Sequence, residues 1–210
     1  MKVVFDFAGV VFHWQPRTLL KRLLPQHASD DPSAARLEVA IFQRWGGDWA
    51  DFDRGTIEPE PLINKIAART GLPTADVRAV VYAIPHELQP AEATLALMRD
   101  LTDAGHELFF LSNMPAPYAD FLEANHHFIQ WFKAGVFSAR VHAIKPEEAI
   151  FRIAEVAFRA KSSELVFIDD VMHNVVAAQA AGWRALQFTD AAQCRQELQA
   201  LVLRFTKSFT

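Results

Sequence analysis

From Pro90 onward, short apolar strands alternate with helical segments, and this alternation constrains the fold more than any other feature of the chain. Strands separated by helices are typical of a parallel sheet with right-handed crossovers. An apolar run near the N-terminus, Val3–Phe7, has the pattern of a strand buried on both faces. The predicted strands are Val3–Phe7, Glu107–Leu111, a short one near Val136, Leu165–Ile168 and Ala185–Phe188. We therefore predict an α/β fold, a Rossmann-like parallel sheet flanked by helices.

The segment between the first strand and Pro90 carries only helical patterns, which are separated by breaks that contain glycine or proline. The predicted helices of this segment are Arg17–Leu24, Ala34–Trp45, Pro59–Thr70 and Thr74–Tyr82. A chain of 210 residues is long enough for one domain, or for a main domain with a smaller insertion. We predict a helical cap domain at residues 15–85, inserted into an α/β core domain formed by residues 1–14 and 86–210.

The composition limits the classes of partner and compartment. Lys and Arg number 21 against 25 Asp and Glu, so the chain lacks the basic excess of most nucleic-acid-binding proteins. No apolar stretch approaches the roughly 18 residues that span a bilayer. The single cysteine, Cys194, fits a reducing compartment. We expect a cytoplasmic protein that binds neither nucleic acid nor membrane. The aromatic pairs Phe109-Phe110 and Trp131-Phe132 are interpreted as core or as a homodimer contact.

Polar side chains stand at the carboxyl ends of three predicted strands, where open parallel sheets bind their ligands. These side chains are Asp6, Ser112 with Asn113, and Asp169 with Asp170. Burying a carboxylate against an apolar strand is costly without a partner, which a metal ion would supply. Each residue taken alone is equally well explained as the N-cap of the next helix. Three such strand ends together favour a binding site.

Lys145 directly precedes a predicted helix start, Pro146-Glu147-Glu148. A lysine there faces the positive end of the helix dipole. Either it pairs with one of the two glutamates, or it points at an anion in the crevice. An anion at this edge would also meet the backbone N–H groups of the helix after Ser112.

These groups together are the components of a phosphoryl-transfer site. A carboxylate that attacks a phosphate monoester meets like-charge repulsion, which a cation and a divalent metal offset. Paired acids suit Mg²⁺, which prefers oxygen ligands. Aspartate is a known nucleophile for such transfers.

Four motifs in order give the chain a family resemblance. They are D-F-A-G-V at 6–10, L-S-N at 111–113, I-K-P-E at 144–147 and F-I-D-D at 167–170. In this order they resemble the motifs of the haloacid dehalogenase superfamily of hydrolases. The resemblance covers essentially the whole chain. It implies that the inserted helices are a cap of the first cap class, and F-D-R-G-T-I at 52–57 resembles a recurring cap segment.

The resemblance implies a role for each residue that contacts the phosphoryl group. Asp6 would be the nucleophile and would form an aspartyl-phosphate. Ser112 and Lys145 would hold the phosphoryl oxygens, with Asn113 assisting them.

The resemblance also implies an Mg²⁺ site, and Asp6 would be one of its ligands. Asp170 would be the main acidic ligand, and Asp169 would be a second ligand or would orient a metal-bound water. The backbone carbonyl of Ala8 would complete the shell, and Asn174 would contribute from the same loop as the two acids.

Position 8 departs from the family pattern, because most phosphatases of the superfamily have a second Asp there as general acid and base. Ala8 keeps the backbone carbonyl but has no proton to donate, which removes a contribution of about 10² to 10⁴ in rate. His13, His173 and a metal-bound water are candidates for a replacement acid.

The function that we expect is Mg²⁺-dependent hydrolysis of small phosphorylated metabolites, such as sugar phosphates. Two alternatives stay open: a 2-haloacid dehalogenase, and a protein that binds a phosphorylated ligand without turnover. Ala8 supports the second and argues against the first, since the founding dehalogenases have an aromatic residue there. In the cap, Trp45, Trp49 and Arg54 either form a lid over a small anionic substrate or serve in packing.

Overall fold

Five parallel strands form a single sheet in the computed structural model, which describes residues 1–206 except for the side chains of Trp45 and of residues 202–206. The order across the sheet is β3-β2-β1-β4-β5. The strands are β1 (Lys2–Phe5), β2 (Glu107–Ser112), β3 (Ala134–Phe137), β4 (Leu165–Asp169) and β5 (Arg184–Gln187). The earliest strand therefore lies in the middle, with strands from the later part of the chain on both sides.

The helices fall into two groups. Five of them lie between β1 and Pro90: α1 (Pro16–Leu23), α2 (Asp31–Phe42), α3 (Gly47–Asp53), α4 (Pro59–Thr70) and α5 (Thr74–Glu87). The others alternate with the strands: α6 (Glu92–Asp103), α7 (Ala116–Asn125), α8 (Ser138–Val141), α9 (Glu148–Phe158), α10 (Met172–Ala180) and α11 (Ala191–Thr206). The predicted fold class, a parallel α/β sheet with an inserted helical cap, is confirmed.

The central strands are apolar on both faces because both faces are covered. Val3 is in register with Leu108 of β2 and Val166 of β4, and all three belong to one core cluster. Val4 points the other way, into a second cluster under α9 and α10. The first cluster continues into the cap helices, so the cap and one face of the sheet share a hydrophobic core.

The chain enters and leaves the cap at the same place. The His13 amide donates a hydrogen bond to the Gln89 carbonyl at 2.8 Å, and the Ala91 amide donates to the Val11 carbonyl at 2.9 Å. The two connections thus run side by side in opposite directions. Division of the chain at residues 14/15 and 85/86 stays a prediction.

Helix α5 extends further than the sequence predicted, to Glu87 instead of Tyr82, and it contains Pro85. Proline in a helix leaves the carbonyl four residues earlier without its N–H partner. Here that carbonyl belongs to Val81, and the Tyr118 hydroxyl of α7 donates a hydrogen bond to it at 2.6 Å. A core side chain therefore replaces the missing backbone donor, and the helix continues.

Helix α3 was not predicted, because Gly46-Gly47 indicated only a break. The preceding helix ends at Phe42, and Gln43 and Arg44 both adopt left-handed backbone angles, with φ of 50° and 51°. Gly47 begins the new helix at a positive φ of 53°. The short helix buries Trp49, Phe52 and Asp53.

The aromatic pairs divide between core and surface. Phe109, Phe110 and Phe132 are buried in the core, whereas Trp131 is 39% exposed and lies 5.2 Å from the Arg99 guanidinium. Across the part of the chain that the structure describes, no helix has both the length and the apolar character needed to cross a membrane.

Candidate active site

The parallel sheet brings the predicted strand-end residues to one edge. Asp6 follows β1, and its amide continues the ladder by donating a hydrogen bond to the Ile168 carbonyl of β4 at 2.9 Å. Asp169 is the last residue of β4, and Asp170 follows it. Carboxylate oxygens of Asp6, Asp169 and Asp170 all lie within 4.8 Å of one another. The structure therefore brings Asp6 next to Asp169 and Asp170, which lie at least 163 positions later in the sequence.

Lys145 lies inside this cluster and is only 3% exposed. Its ammonium is 2.8 Å from Asp6 Oδ1 and 2.6 Å from Asp169 Oδ2. Burial lowers the pKa of Lys145, but Asp169 and Asp6 together raise it above its ordinary value, so the ammonium stays charged. Of the two alternatives for this lysine, the structure has the one in which it points into the crevice and not at a neighbouring glutamate.

Asp169 is held by hydrogen bonds from several directions. Its Oδ1 accepts from the Val171 amide at 2.8 Å, and both of its oxygens lie 3.1 Å from the Asn174 amide nitrogen on α10. The Lys145 ammonium also donates to Oδ2, so both oxygens of the Asp169 carboxylate already accept hydrogen bonds from the protein. Asn174 therefore acts on Asp169, and Asp169 positions Lys145 against the nucleophile candidate Asp6.

Asp170 lies against the backbone of the loop that follows β1. A Cβ atom placed on Gly9 would be 2.5 Å from Asp170 Oδ2, and Gly9 has a positive φ of 87°. The glycine in D-F-A-G-V is required for both reasons, because a side chain would strain the loop and displace the carboxylate.

The cluster carries more negative charge than its lysine neutralises. Burial raises the pKa of Asp6 to about 7, with Lys145 acting against this and Asp169 and Asp170 adding to it. Burial and the neighbouring Asp169 likewise raise the pKa of Asp170 to about 6. A nearby cation would favour the ionised forms of both carboxyls.

The donor set fits a hard divalent cation. Asp6 and Asp170 supply carboxylate oxygens, and Ala8 lies beside them on the wall of the same cavity with a backbone carbonyl to offer. Oxygen ligands of this kind and number suit Mg²⁺, which keeps several waters. Asp169 contributes less to such a site, because its oxygens already accept hydrogen bonds from Lys145 and Asn174.

Ser112 and Asn113, at the end of β2, have different surroundings. Ser112 Oγ is the buried side-chain polar atom that has no hydrogen-bond partner among residues 1–206. Such an atom costs about 1–3 kcal/mol. Ser112 is 0% exposed and is not among the described residues that line the cavity, so its contact with a phosphoryl group stays a prediction. Asn113 donates to the Lys145 carbonyl at 2.9 Å and accepts from the Lys145 amide at 2.8 Å. Asn113 thus fixes the backbone of Lys145, and its contact with a phosphoryl group stays a prediction.

A cavity of about 330 Å³ lies above the cluster, between the sheet edge and the cap. Its floor is charged and includes Asp6, Lys145 and Asp170. Its wall is largely apolar and aromatic, and is formed by Trp14, Trp49, Ile84, Leu88, Met114 and Tyr118. A ligand that fills this cavity would place an anionic group on the floor and an apolar group against the wall.

The other residues predicted from the sequence have mixed positions. His173 lines the cavity from the first turn of α10, whereas His13 is exposed and is not among the described residues of the lining. Trp49 lines the cavity, as the lid hypothesis requires, and the Trp45 side chain lies outside the described residues. Arg54 forms a two-pronged ion pair with Glu147 at 2.8 and 2.6 Å, so it joins the cap to the loop of Lys145.

Sequence reasoning missed two charged residues of the cavity, Arg44 and Asp53. Asp53 is 5% exposed and lies at the end of α3. The signal was present, because Trp49, Phe52 and Asp53 have the i, i+3, i+4 spacing of one helix face. Because no helix was predicted at residues 47–53, this spacing was not recognised as one face of a helix.

Comparison with known proteins places the chain in a family. The sequence profile of haloacid dehalogenase-like hydrolases matches residues 3–182. The chain is 28% identical over 201 residues to the sesquiterpene phosphatase astK of Aspergillus oryzae, covering 95% of each chain.

Two solved structures share the fold. One is the HAD family enzyme bt-2542 of Bacteroides thetaiotaomicron in complex with magnesium and inorganic phosphate, with a TM-score of 0.67, 18% identity, and coverage of 89% of this chain and 92% of that one. The other is the L-2-haloacid dehalogenase of Xanthobacter autotrophicus with chloropropionic acid covalently bound, with a TM-score of 0.67, 16% identity, and coverage of 94% and 82%. The match over residues 3–182 shows that this chain belongs to the haloacid dehalogenase-like hydrolases.

Proposed function

We propose that this hydrolase is a phosphatase that releases inorganic phosphate from small phosphate monoesters with an apolar organic group. The observation that carries the proposal is the charged floor beneath an apolar wall in one cavity of about 330 Å³. The similarity to a protein named sesquiterpene phosphatase supports the same class of substrate. Sugar phosphates, the example expected from the sequence, fit this wall less well, because their hydroxyl groups need polar partners.

Asp6 is the nucleophile of the proposed reaction. One of its oxygens attacks phosphorus, the bond from phosphorus to the ester oxygen breaks, and water then hydrolyses the aspartyl-phosphate. Lys145, 2.8 Å from Asp6 Oδ1, offsets the negative charge that the phosphoryl group brings to the floor. We expect the Ser112 hydroxyl, which has no partner among the described residues, to donate a hydrogen bond to a phosphoryl oxygen.

Mg²⁺ is the cation that we propose for the cluster, held by Asp6, Asp170 and the Ala8 carbonyl. When bound it neutralises phosphoryl charge and acts as a Lewis acid. This chain's own residues keep these ligands in place: Lys145 contacts Asp6 at 2.8 Å, and Gly9 leaves room for Asp170.

The test is phosphate release from a panel of decyl phosphate, farnesyl phosphate, a hexose phosphate and p-nitrophenyl phosphate, with Mg²⁺ and with chelator. We expect release with Mg²⁺, highest specificity constants for the apolar esters, and loss of about 10⁴-fold or more in the Asp6→Asn variant. The exposed Asp103→Asn variant is the matched control and should keep full activity.

Three outcomes would contradict the proposal. No phosphate from any ester would exclude a phosphatase of this class. Chelator-insensitive halide release from 2-haloacids would indicate a dehalogenase instead. Tight binding of the apolar esters without product would indicate a binding protein.

A further inference from the structure

A proton donor for the leaving group is missing where the family normally has one. Position 8 is an alanine, and this residue lines the cavity together with Asp6. An alkoxide leaving group is strongly basic, so its departure needs an acid within hydrogen-bonding reach. Of the two histidines suggested by the sequence, His13 is exposed and outside the described lining. His173 does line the cavity, but it is exposed to solvent in the first turn of α10, whereas a buried group keeps water away from the proton transfer.

Asp53 is the described residue that meets this need. It belongs to the cap, is 5% exposed, and lines the cavity together with Asp6 and Lys145. Its carboxyl oxygens form no hydrogen bond or ion pair with other residues within the described range 1–206, in contrast to those of Asp169. A carboxyl of a largely buried residue that faces the cavity and has no partner among the described residues is costly unless it is neutral or a ligand supplies the partner.

The backbone of Asp53 is fixed against the core. The Ser138 hydroxyl donates to the Asp53 carbonyl and accepts from the Met114 amide, so it bridges the end of α3 to the loop after β2. Next along the chain, Gly55 has a φ of 73° and approaches α8 so closely that a Cβ atom would lie 2.6 Å from the Ala139 carbonyl oxygen. With the ion pair between Arg54 and Glu147, these contacts hold the cap carboxyl at the cavity.

We propose that Asp53 is the general acid of this enzyme and replaces, from the cap, the carboxyl that is absent at position 8. The inference rests on the proposed phosphatase function. As Asp6 forms its bond to phosphorus and the ester bond breaks, the Asp53 carboxyl gives its proton to the departing alkoxide, which leaves as the alcohol. In the second step the Asp53 carboxylate takes a proton from the water that attacks phosphorus, and phosphate and free Asp6 are regenerated.

The protonation state agrees with this role. Burial raises the pKa of Asp53 to about 8, with Lys145 acting against the shift and Asp6 adding to it. The other titratable or charged groups on the same cavity are Arg44, Tyr118, Asp170 and His173. At neutral pH the carboxyl therefore still holds the proton that the first step uses.

The experiment compares Asp53→Asn with the wild type on two esters that differ in leaving group, decyl phosphate and p-nitrophenyl phosphate. Asparagine keeps the shape of the neutral carboxyl but has no proton to give. The quantity compared is kcat/KM, which reports the steps up to formation of the aspartyl-phosphate and not its later hydrolysis, a step shared by both esters. We expect kcat/KM to fall by about 10²-fold or more for decyl phosphate, and by less than about 10-fold for p-nitrophenyl phosphate, whose leaving group needs little protonation. Asp51→Asn, an exposed change on the same helix, should leave both rates unchanged.

Equal losses of kcat/KM on both esters, or no loss on decyl phosphate, would overturn the role of Asp53 as general acid while leaving the phosphatase function intact. If neither wild type nor Asp51→Asn releases phosphate from either ester, the proposed function fails, and the role of Asp53 fails with it.

A second measurement uses the wild type alone and so does not depend on folding of the variant. Because the acid must be protonated, the ratio of kcat/KM for decyl phosphate to kcat/KM for p-nitrophenyl phosphate should fall as pH rises through about 8. A ratio that stays constant from pH 6 to 9 would contradict the role.

Discussion

Two buried aspartates, one on the sheet and one on the cap, show how differently the two sides of the cavity are built. Asp169, at the end of β4, accepts hydrogen bonds from Lys145, Asn174 and the Val171 amide. Asp53, at the end of α3, has its backbone fixed but its carboxyl unpartnered among the described residues, and burial raises its pKa to about 8. The sheet side thus binds and holds charge, whereas the cap side contributes apolar surface and a group that can change its protonation state.

The largest effect on stability should come from removing the cation of the sheet side. Lys145→Met leaves Asp6 and Asp169 buried without their shared partner, so we expect a loss of about 3–5 kcal/mol in the free energy of unfolding. The measurement is urea denaturation at pH 7. Lys65→Met, which removes an exposed ion pair with Asp48 at 3.5 Å, should change stability by about 0–1 kcal/mol. Equal effects of the two substitutions would mean that the buried triad is not electrostatically coupled.

On the cap side, Asp53→Asn should stabilise the protein as pH rises. The pKa of Asp53 is raised from 3.8 to about 8, so between these pH values the folded chain binds one more proton than the unfolded chain does. Stability is then present in full near pH 4 and declines up to about pH 8. Asparagine removes this decline, and the gain over wild type should grow to a few kcal/mol, as an order of magnitude, by pH 8.

Thermal unfolding of Asp53→Asn, wild type and Asp51→Asn at pH 5, 6.5 and 8 would measure this gain. A constant difference across the series would show that burial does not perturb the Asp53 carboxyl. A growing gain together with the loss of activity on decyl phosphate would show that function is maintained here at a cost in stability.

Returning the acid to the sheet side would test whether the two positions are equivalent. Ala8→Asp in the Asp53→Asn background should restore turnover of decyl phosphate by about 10-fold or more. The same change in the wild-type background should give a smaller gain, because the proton is already supplied. A larger gain in the wild type than in Asp53→Asn would mean that Asp53 does not act in the same step.

The smallest expected effect concerns the contact between α5 of the cap and α7 of the core. Tyr118→Phe removes the donor that replaces the N–H missing at Pro85 and leaves the Val81 carbonyl unpaired, which costs about 1–3 kcal/mol. The chain's other tyrosine provides the control, since Tyr82 is 49% exposed and its hydroxyl donates to the exposed Glu60. Tyr82→Phe should change the unfolding free energy by less than about 0.5 kcal/mol. Similar losses from both would show that the Val81 carbonyl finds another donor.

The sheet side was accessible to sequence reasoning for a physical reason. Strand ends of a parallel sheet converge, so Asp6, Asp169 and Asp170 could be expected at one edge from their positions alone. For Lys145 the sequence left two alternatives open, a pair with a neighbouring glutamate or a position in the crevice. Its contacts with Asp6 at 2.8 Å and Asp169 at 2.6 Å show that it points into the crevice. Asn113 forms two hydrogen bonds with the backbone of Lys145, which lies 32 positions later in the sequence. A contact at this distance cannot be predicted from a local sequence pattern.

The cap side was harder to predict from the sequence, because its helices begin and end at turns whose backbone geometry the sequence does not determine. Gly46-Gly47 marks a break, but the left-handed angles at Gln43 and Arg44 and the new helix at Gly47 emerge only with packing. From the sequence, Arg54 was a candidate for either a lid or a packing role. In the structure Arg54 forms an ion pair with Glu147, and its neighbour Asp53 lines the cavity instead.

The paired connections at residues 11–13 and 89–91 bear on the order in which the two sides of the cavity would meet a substrate. Because the chain leaves and re-enters the core at one point, a movement of the cap that broke its contacts with the core, such as the ion pair between Arg54 and Glu147, would leave the sheet intact. Tilting the cap away would withdraw the apolar wall and the Asp53 carboxyl in the same movement. An ester that reached the open floor would then find a nucleophile but no acid. Commitment to the reaction would begin only once the organic group is enclosed, and the product alcohol would be released by the movement that also removes its proton donor.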